Sequence, residues 1–419
     1  MLSEQPNPPL GGISLTGHDG KSRRNWIRRM MAEENYINSI NYEEFENPRS
    51  LTTGSSSVIQ KAWWTTKNRV VVLKQILPEE PRIEESEHEE LVKEIKAFHS
   101  VNNNINDTDH KYIIEFLGIS SPLLIYYDTY NLSLYLALSN EEKFFLVLEY
   151  ADIGDLHNYL IQNCLEWDQK VEIVRHIICG LRFLHKNEIL HRDLHTGNVV
   201  IKSDSSNKFG IRAVITDFGL SRVVSRNSIS NQRVKARFHF MDPIIFIEFQ
   251  KRFGEIYDYP SDIYSLGVIM WDISSNGQGI SKANLRADLV KILFGKREKP
   301  VAGSTLSYVK LYEKCWDDNP SKRPDINRVY ELIHEDDILL GEKIPAELDP
   351  NQNDYNASDN RTVGRYLLSV IEQFYDEHPV CYLLNGLLRR MCPCISDKLL
   401  DFANKKLPKQ LARIFSDLK

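Results

Sequence analysis

The stretch that decides the fold is His191-Arg192-Asp193-Leu194-His195-Thr196-Gly197-Asn198, a polar segment in which an aspartate precedes an asparagine by five positions. A carboxylate held in such a loop is suited to accept the proton of a hydroxyl nucleophile. An amide oxygen close by is a suitable ligand for a divalent metal ion. Asp217-Phe218-Gly219 follows nineteen residues after Asn198, directly behind the strand-like run 213–215. The carboxylate of Asp217 is therefore a second candidate ligand for magnesium.

Further motifs lie on both sides of this stretch at ordered spacings. Upstream, Val71-Val72-Leu73-Lys74 ends a β-branched run, and Glu94 follows twenty residues later. Glu94 lies within a charged segment, 84–100, whose apolar residues recur at helical intervals, so a helix is predicted there. Downstream, the apolar segment 261–268 reads SDIYSLGV, and the segment 315–324 reads CWDDNPSKRP.

Together these motifs resemble those of a eukaryotic protein kinase, closest in style to the tyrosine-kinase-like group. The resemblance covers residues 42–334 and implies an α+β, bilobal protein-kinase-like fold. A small β-sheet N-lobe with one main helix is expected over 42–151, and a larger, mostly helical C-lobe over 152–334. A flexible leader, 1–41, and a helical tail of unknown role, 335–419, are expected to flank this domain.

The resemblance assigns catalytic roles to five positions. Asp193 would orient the attacking hydroxyl and accept its proton. Lys74, held by Glu94, would position the α- and β-phosphates of ATP. Asn198 and Asp217 would hold Mg²⁺, which neutralises charge on the transferred group.

A second set of residues would bind the nucleotide. By the same resemblance Leu148 is the gatekeeper, and backbone groups of Glu149 and Ala151 would form hydrogen bonds to adenine. The side chain of Val72 would form an apolar roof over the adenine. The implied ATP-binding residues are Gly54, Ile59, Val72, Lys74, Leu148, Glu149 and Ala151.

The loop that would cover the phosphates departs most from the kinase pattern. Its three expected glycines fall on Thr52, Gly54 and Ser57, so only the middle glycine is kept. Glycine lets a backbone approach a ligand closely and adopt unusual dihedral angles. Serine hydroxyls could act as donors in its place, and the loop leaves the tightness of nucleotide binding open.

A second departure affects the segment that closes the helical lobe. Kinases of this pattern carry Ala-Pro-Glu where this chain has Asp242-Pro243-Ile244, so the acid that usually pairs with the arginine of the last motif, here Arg323, is missing. A buried and unpaired guanidinium is costly. Either Glu248 or another acid reaches Arg323, or that corner of the lobe is solvated.

Two features concern the acceptor and its regulation. His195 stands where serine/threonine kinases usually have Lys and tyrosine kinases usually have Ala or Arg, so the preference for serine or threonine rests on the tyrosine-kinase-like style alone. Between Asp217 and Pro243 the chain holds serines but no threonine or tyrosine. A phosphate on one of them could dock on Arg192 and order the loop, or the serines are solvated loop residues. The serines are Ser221, Ser225, Ser228 and Ser230.

The leading hypothesis is a protein kinase that transfers the γ-phosphate of Mg-ATP to a protein hydroxyl, with serine or threonine favoured. The alternative is a pseudokinase, a nucleotide- or protein-binding scaffold with little or no transfer, which the serine-rich loop and the lost acid motivate. A kinase of small molecules is disfavoured because the complete C-lobe set resembles protein kinases specifically.

Composition bounds the partners and the compartment. The chain has 419 residues and a net charge of −6, which excludes a strongly basic nucleic-acid binder. The most apolar stretch, 123–138, is interrupted by Asp128 and Asn131 and is too short to span a bilayer. We expect a soluble cytoplasmic signalling protein with a protein substrate, an unknown partner for the tail, and neither a membrane span nor nucleic acid.

Patterning also predicts individual elements. The residues Val171, Val174, Ile178 and Leu181 recur at helical spacing and should face the core. Helices are expected to dominate 264–334, and the segment 120–143 is an insertion of unknown role. Strands are predicted at 58–59, 70–73, 113–119, 144–149, 199–201 and 213–215.

Overall fold

The structure is a computed structural model. It describes residues 37–51, 58–76, 95, 97–98, 101–102, 106–122, 143–217, 239–245, 258–278 and 297–345. The chain divides into two compact units. The first holds a β-sheet, the end of a long helix and a β-hairpin, and the second holds most of the helices. This α+β arrangement confirms the expected protein kinase fold, with a sheet-rich lobe and a helical lobe.

Among the described residues, six strands form the main sheet of the first unit in the order β1-β5-β6-β4-β3-β2. All neighbouring pairs are antiparallel except β1 and β5, which are parallel. The strands are β1 (Ser39–Asn41), β2 (Phe45–Ser50), β3 (Ile59–Trp64), β4 (Arg69–Gln75), β5 (Phe116–Ser121) and β6 (Phe145–Glu149).

One face of this sheet forms an apolar core. Successive side chains of a strand point to opposite faces, so Val71 and Leu73 share a face that excludes Val72. Val71 and Leu73 are fully buried. Their cluster comprises Ile40, Phe45, Ala62, Trp64, Val71, Leu73, Phe145 and Val147. The opposite face is left for the site described below.

The edge strand β1 was not predicted. Its residues Ser39–Asn41 fall in the expected leader, yet they pair with Ile119–Ser121 of β5. Ile40 is buried in the sheet core, which explains why the chain is fixed here. A Cβ on Gly118, whose φ is +148°, would lie 2.2 Å from the carbonyl oxygen of Asn38, so only glycine permits this approach. Residues 1–36 of the expected leader lie outside the described residues.

The strand predicted at 113–119 begins later than expected, at Phe116. A 3₁₀ helix, Thr108–Tyr112, occupies the preceding residues and is capped by the side chain of Asp107. Ile113 and Ile114 are buried, but they pair with Ile215 rather than with β6. The prediction was therefore wrong at its start, because apolar residues before the strand serve a different contact. The strands predicted at 70–73, 199–201 and 213–215 are confirmed within longer elements. Those predicted at 58–59 and 144–149 are confirmed except for their first residues, because β3 begins at Ile59 and β6 at Phe145.

The first unit also contains a small sheet, in the order β7-β8-β9. Its strands are β7 (Gly154–Asp155), β8 (Val199–Ser203) and β9 (Ile211–Ile215). Of the main N-lobe helix, Ile95, Ala97, Phe98, Val101 and Asn102 are described and are helical. Phe98 is fully buried and stacks on Phe116 with ring centroids 5.0 Å apart.

The described helices are α1 (Leu156–Gln162), α2 (Trp167–Lys186), α3 (Tyr259–Ser274), α4 (Leu306–Cys315), α5 (Ile326–Ile333) and α6 (Asp337–Leu340). The four residues predicted to form the core face of α2 are fully buried, which confirms that prediction. Residues Ser261 to Ser274 of α3 are all buried, as expected for a helix that is apolar on every side. Asp258 caps α3 by accepting a hydrogen bond from the Ser261 amide.

Helices α3 and α4 meet closely at Gly267. A Cβ there would lie 2.9 Å from the Cβ of Cys315, so a larger residue would force the two helices apart. The hydroxyl of Tyr308 in α4 donates a hydrogen bond of 2.7 Å to the carbonyl of Met270 in α3. Helices α3 and α4 thus pack closely against each other in the second unit.

The first residues of the expected tail pack on the second unit. The carbonyl of Ile338 in α6 accepts hydrogen bonds from the Trp167 indole and the Thr305 hydroxyl. The amide of Ile344 donates to the carbonyl of Ser304 at 2.8 Å. Residues 335–344 therefore belong physically to the second unit, while 346–419 lie outside the described residues. Within the described part of the chain, no helix is long and apolar enough to cross a membrane.

Candidate active site

The register of the main sheet places four predicted nucleotide-site residues on one face. Val72 and Lys74 are two positions apart on β4, so they share a face. Leu148 of β6 lies directly opposite Val72, and Ile59 of β3 lies directly opposite Lys74. Directly paired residues of antiparallel strands project to the same side. This side is opposite to the one that carries the apolar core.

Lys74 forms an ion pair with Asp217. The Nζ atom of Lys74 lies 2.8 Å from Oδ1 of Asp217, and the exposed fractions of the two side chains are 6% and 29%. The two residues are 143 positions apart in the chain. The fold therefore brings the predicted phosphate-positioning cation to the predicted metal-binding carboxylate. A largely buried lysine requires such a partner.

Asp217 has an unusual backbone conformation, with φ of +61°. Non-glycine residues rarely adopt this left-handed region, although aspartate tolerates it better than most. Arg192 is similar, with φ of +66°. Such conformations cost on the order of 1–3 kcal/mol each and are concentrated at functional sites. Both residues lie in segments that the sequence analysis assigned to catalysis.

The β8–β9 hairpin sets the two predicted metal ligands side by side. Asn198 directly precedes β8, and Asp217 follows β9 after one residue. Val199 pairs with Ile215 at this end of the hairpin. The amide of Thr216 donates a hydrogen bond of 2.9 Å to the backbone carbonyl of Asn198. The backbones that carry Asn198 and Asp217 are thus joined by hydrogen bonds.

These two side chains fit magnesium. Carboxylate and amide oxygens are hard ligands, and Mg²⁺ in nucleotide sites is typically held by one or two protein groups together with substrate phosphates and waters. Within the described residues, no cluster of three or more His, Cys, Asp or Glu side chains could hold a metal by itself. A metal at Asn198 and Asp217 would therefore depend on ligands brought by a phosphate-bearing substrate.

The segment after β6 is anchored through its side chains. Glu149 forms an ion pair with Lys202 of β8. The Tyr150 hydroxyl accepts a hydrogen bond of 3.1 Å from Lys61, whose ammonium also lies 4.2 Å from the centre of the tyrosine ring. Asp152 accepts hydrogen bonds from the amide and hydroxyl of Ser203. The backbone predicted to bind adenine at Glu149 and Ala151 thus runs through a fixed segment.

The second unit holds the other predicted catalytic residue, Asp193. Its side chain is 31% exposed, and its Oδ2 atom lies 3.7 Å from Nε2 of His195. His195 is buried, with only 9% of its surface exposed. A partly exposed carboxylate therefore lies beside a buried imidazole in this loop.

Asp272 of α3 is a buried acid next to this loop that the sequence motifs do not predict. Burial raises the pKa of the Asp272 carboxyl to about 7, and the neighbouring side chain of Thr196 opposes the shift only in part. Thr196 lies in the loop between Asp193 and Asn198. The only sequence signal for Asp272 is an acid within a largely apolar helix, which also contains Asp262.

Arg323 forms a buried ion pair with Asp242. Its guanidinium forms two hydrogen bonds with the carboxylate of Asp242 and a third, of 2.9 Å, with the carbonyl of Pro260. The hydroxyl of Ser261 also donates to Asp242, at 3.2 Å. Of the alternatives left open by the sequence, the second holds: another acid reaches the arginine. It comes from the first position of the Asp-Pro-Ile element instead of the third.

Several predicted residues lie outside the part of the chain that the structure describes. Gly54 and Glu94 lie outside the described residues, so neither the phosphate loop nor the partnership of Glu94 with Lys74 is tested. The same holds for Phe218, for Glu248 and for the four serines that follow Asp217. The insertion is described only at its ends.

The sheet-rich unit, the helical unit and the Lys74–Asp217 pair are features expected of a protein kinase. The sequence profile of the protein kinase domain matches residues 45–333 of this chain. The chain therefore belongs to the protein kinase family.

Its relatives include kinases of both acceptor classes. A serine/threonine-protein kinase/receptor of Acanthamoeba polyphaga mimivirus, R818, is 25% identical over 306 residues, which cover 73% of this chain and 16% of that protein. The human ankyrin repeat and protein kinase domain-containing protein 1 is 28% identical and is matched over 46% of this chain and 25% of its own length. The tyrosine-protein kinase transforming protein RYK of avian retrovirus RPL30 is 25% identical, over 61% of this chain and 53% of its own length. The chain thus spans less than two thirds of these relatives.

Proposed function

We propose that this chain is an active protein kinase that transfers the γ-phosphate of ATP to a hydroxyl of a protein substrate. The observation that carries the proposal is the Lys74–Asp217 ion pair of 2.8 Å, formed on the same sheet face as Ile59, Val72 and Leu148. A scaffold that had lost phosphotransfer would have no chemical need to keep this pair together with Asn198 and Asp193.

In the proposed mechanism each of these residues has one task. Lys74 binds the α- and β-phosphates, and Glu94 orients Lys74. Asn198 and Asp217 hold Mg²⁺, which when bound neutralises charge on the phosphates. Asp193 orients the acceptor hydroxyl and takes its proton as the new oxygen–phosphorus bond forms and the bond to the ADP leaving group breaks. Val72 and Leu148 supply the apolar surface for adenine, with Gly54 near the phosphates and backbone groups of Glu149 and Ala151 at the adenine edge.

We propose serine or threonine as the acceptor. The support is the tyrosine-kinase-like style of the motifs and the serine/threonine kinases among the relatives. We also propose that the kinase domain occupies 42–334, that 335–419 is a tail with its own partner, and that the protein acts in the cytoplasm. The packing of 335–344 on the second unit supports a tail that begins in contact with the domain.

The test is transfer of labelled γ-phosphate from Mg-ATP to the protein itself and to a generic protein acceptor. Wild type should label, and Asp193→Asn should reduce labelling at least about a hundredfold, since a positioned acid–base group contributes roughly 10²–10⁴-fold. Asp217→Asn should also reduce labelling strongly, because it removes a charged ligand proposed for Mg²⁺. Asp336→Asn is the matched control, because Asp336 is exposed and its side chain caps no helix amide. Equal labelling by all four proteins would contradict the assignment. Absence of labelling by a folded wild type would favour the pseudokinase alternative.

A further inference from the structure

His195 is held in one orientation by the backbone of its own loop. The amide of Gly197 donates a hydrogen bond of 2.9 Å to Nδ1 of the imidazole. A ring nitrogen that accepts a hydrogen bond carries no proton. The proton of the neutral ring is therefore on Nε2, an assignment that follows from the hydrogen bond.

The protonated nitrogen faces Asp193. Nε2 of His195 lies 3.7 Å from Oδ2 of Asp193, which is longer than a hydrogen bond. Nε2 is buried and makes no hydrogen bond within the described part of the protein. Buried polar atoms are nearly always paired. A shift of the partly exposed Asp193 carboxylate by less than 1 Å would close this gap, and catalytic hydrogen bonds commonly shorten when substrate binds.

Gly197 leaves room for the His195 ring because it has no side chain. A Cβ at position 197 would lie 2.9 Å from Cε1 and 3.0 Å from Nδ1 of His195. Nothing about its backbone requires glycine, because its φ is outside the left-handed region. The ring also lies against Phe240, with centroids 6.0 Å apart. The imidazole is thus fixed on two sides.

We propose that His195 is a positioning residue for Asp193: its Nε2–H donates to Oδ2 and leaves Oδ1 to face the substrate hydroxyl. This inference rests on the proposed phosphotransfer function. In that role His195 acts through Asp193 and does not itself touch the reacting atoms. The sequence His-Thr-Gly in this loop then has a single explanation: Gly197 fixes the His195 ring, and the ring positions Asp193.

Two substitutions separate this role from loop packing. In His195→Asn the amide oxygen can take the place of Nδ1 and keep the hydrogen bond from Gly197, but the side chain is too short to reach Asp193. In His195→Gln the amide nitrogen takes the place of Nε2 and can still donate to Asp193. The first variant preserves the loop and the second preserves the proposed donor.

The kinetic test compares kcat, the KM for ATP and the melting temperature of the two full-length variants with wild type. His195→Asn should lower kcat by about tenfold to a hundredfold, the factor carried by a hydrogen bond to a charged group, with KM unchanged and a fall in melting temperature no larger than that of His195→Gln. His195→Gln should recover most of kcat even if its melting temperature falls. Asparagine with wild-type kcat, or kcat that follows the melting temperature in both variants, would overturn the proposal.

A double-mutant cycle tests the link to Gly197. Gly197→Ala should lower kcat in the wild-type background, because its Cβ displaces the ring. The same change should have little further effect in the His195→Asn background, so the two losses are not additive. Additive losses would mean that Gly197 acts on the site by another route.

The last measurement does not need activity. In full-length protein labelled with ¹⁵N-histidine, the His195 signals are those that disappear in His195→Asn among the signals of 12 histidines. The proposal expects an unprotonated Nδ1 and a protonated Nε2 near neutral pH. A proton on Nδ1 would overturn it. If wild type shows no phosphotransfer, the proposed function fails, whereas this spectrum still decides the orientation of His195.

Discussion

Arg323 and Asp242 form a bidentate ion pair that is closed to solvent on both sides, with exposed fractions of 0% and 1%. Arginine presents two parallel N–H groups that match the two oxygens of a carboxylate. The Arg323 guanidinium also lies 5.1 Å from the ring centre of Tyr264 in α3. The pair therefore joins three parts of the second unit: the Asp-Pro-Ile element, helix α3 and the segment after α4.

Removal of this carboxylate should destabilise the protein. Asp242→Asn leaves a buried guanidinium without its counterion, and breaking a buried pair from one side costs about 3–5 kcal/mol. We expect the melting temperature to fall on the order of 10 °C, since 1 kcal/mol corresponds to about 2–4 °C in domains of comparable size. Glu331→Gln is the control, because its pair with Arg328 is exposed and should contribute little. Equal melting temperatures for the two variants would contradict a structural role of Asp242.

The sequence predicted the need for this pair but not its members. The family pattern locates an acid at the third position of the element, where this chain has Ile244. Whether an acid two positions earlier can reach the arginine depends on the course of the backbone between them. The side chain of Asp242 also accepts a hydrogen bond from the Ile244 amide, which bends the chain locally and is visible only in the structure.

The edge strand β1 supplies a second prediction. Ile40 is 4% exposed and packs in the core cluster of the sheet. Ile40→Ala should cost about 2–5 kcal/mol, because it removes buried apolar groups and leaves a cavity. Ser39→Ala, on the exposed side of the same strand, should be nearly neutral. Chemical denaturation of both variants measures the two costs, and equal costs would mean that β1 is not docked on β5 in solution.

The limits of sequence patterning follow from these elements. Strand β4 is predictable because four β-branched and aliphatic residues follow one another, and its two faces follow from alternation. Strand β1 has three residues and one buried side chain, which is too short a pattern to recognise. The Lys74–Asp217 contact was foreseen only as two separate motifs, since no local pattern joins residues 143 positions apart. The orientation of the His195 ring depends on its contacts with Gly197, and the raised pKa of Asp272 depends on its burial. Neither can be predicted from the residue types alone.

Asp272 gives a pH dependence of stability. Its pKa is 3.8 without the fold and about 7 within it, because burial disfavours the charged carboxylate. Between these values the folded protein binds the proton and the unfolded chain does not, so this group lowers stability as pH rises from about 4 to 7. Asp272→Asn removes this term. From pH 5 to pH 8 wild type should lose on the order of 3 kcal/mol relative to the variant, since each pKa unit corresponds to about 1.4 kcal/mol.

The measurement is denaturant unfolding of wild type, Asp272→Asn and Asp336→Asn between pH 5 and pH 8. The exposed Asp336 serves as the control, and its variant should follow wild type at every pH. If Asp272→Asn also follows wild type in parallel, the buried carboxyl does not change its proton in this range. The difference between the curves is the relevant quantity, because an asparagine in the core can shift stability equally at all pH values.

Nucleotide binding can be tested apart from phosphotransfer. A ligand at a hundred times its dissociation constant stabilises the folded state by about 2.7 kcal/mol, which corresponds to a rise in melting temperature of roughly 5–10 °C. Mg-ATP should produce such a rise in wild type. Removal of Mg²⁺ with EDTA should abolish most of it, because Asn198 and Asp217 would then hold no ion to offset the phosphate charge. Lys74→Met should abolish most of it as well, whereas Lys310→Met, which removes an exposed lysine of α4, should leave it unchanged.

These shifts separate the candidate activities that share this fold. A rise that needs both Mg²⁺ and Lys74 places the nucleotide against the sheet face of Val72 and Leu148, and with phosphotransfer it supports the kinase. The same rise without phosphotransfer would identify a nucleotide-binding scaffold. A rise that persists in EDTA and in Lys74→Met would mean that ATP binds without the ion pair, and the roles given to Lys74 and Asp217 would then be wrong. No rise in wild type would contradict the binding of Mg-ATP at this sheet face.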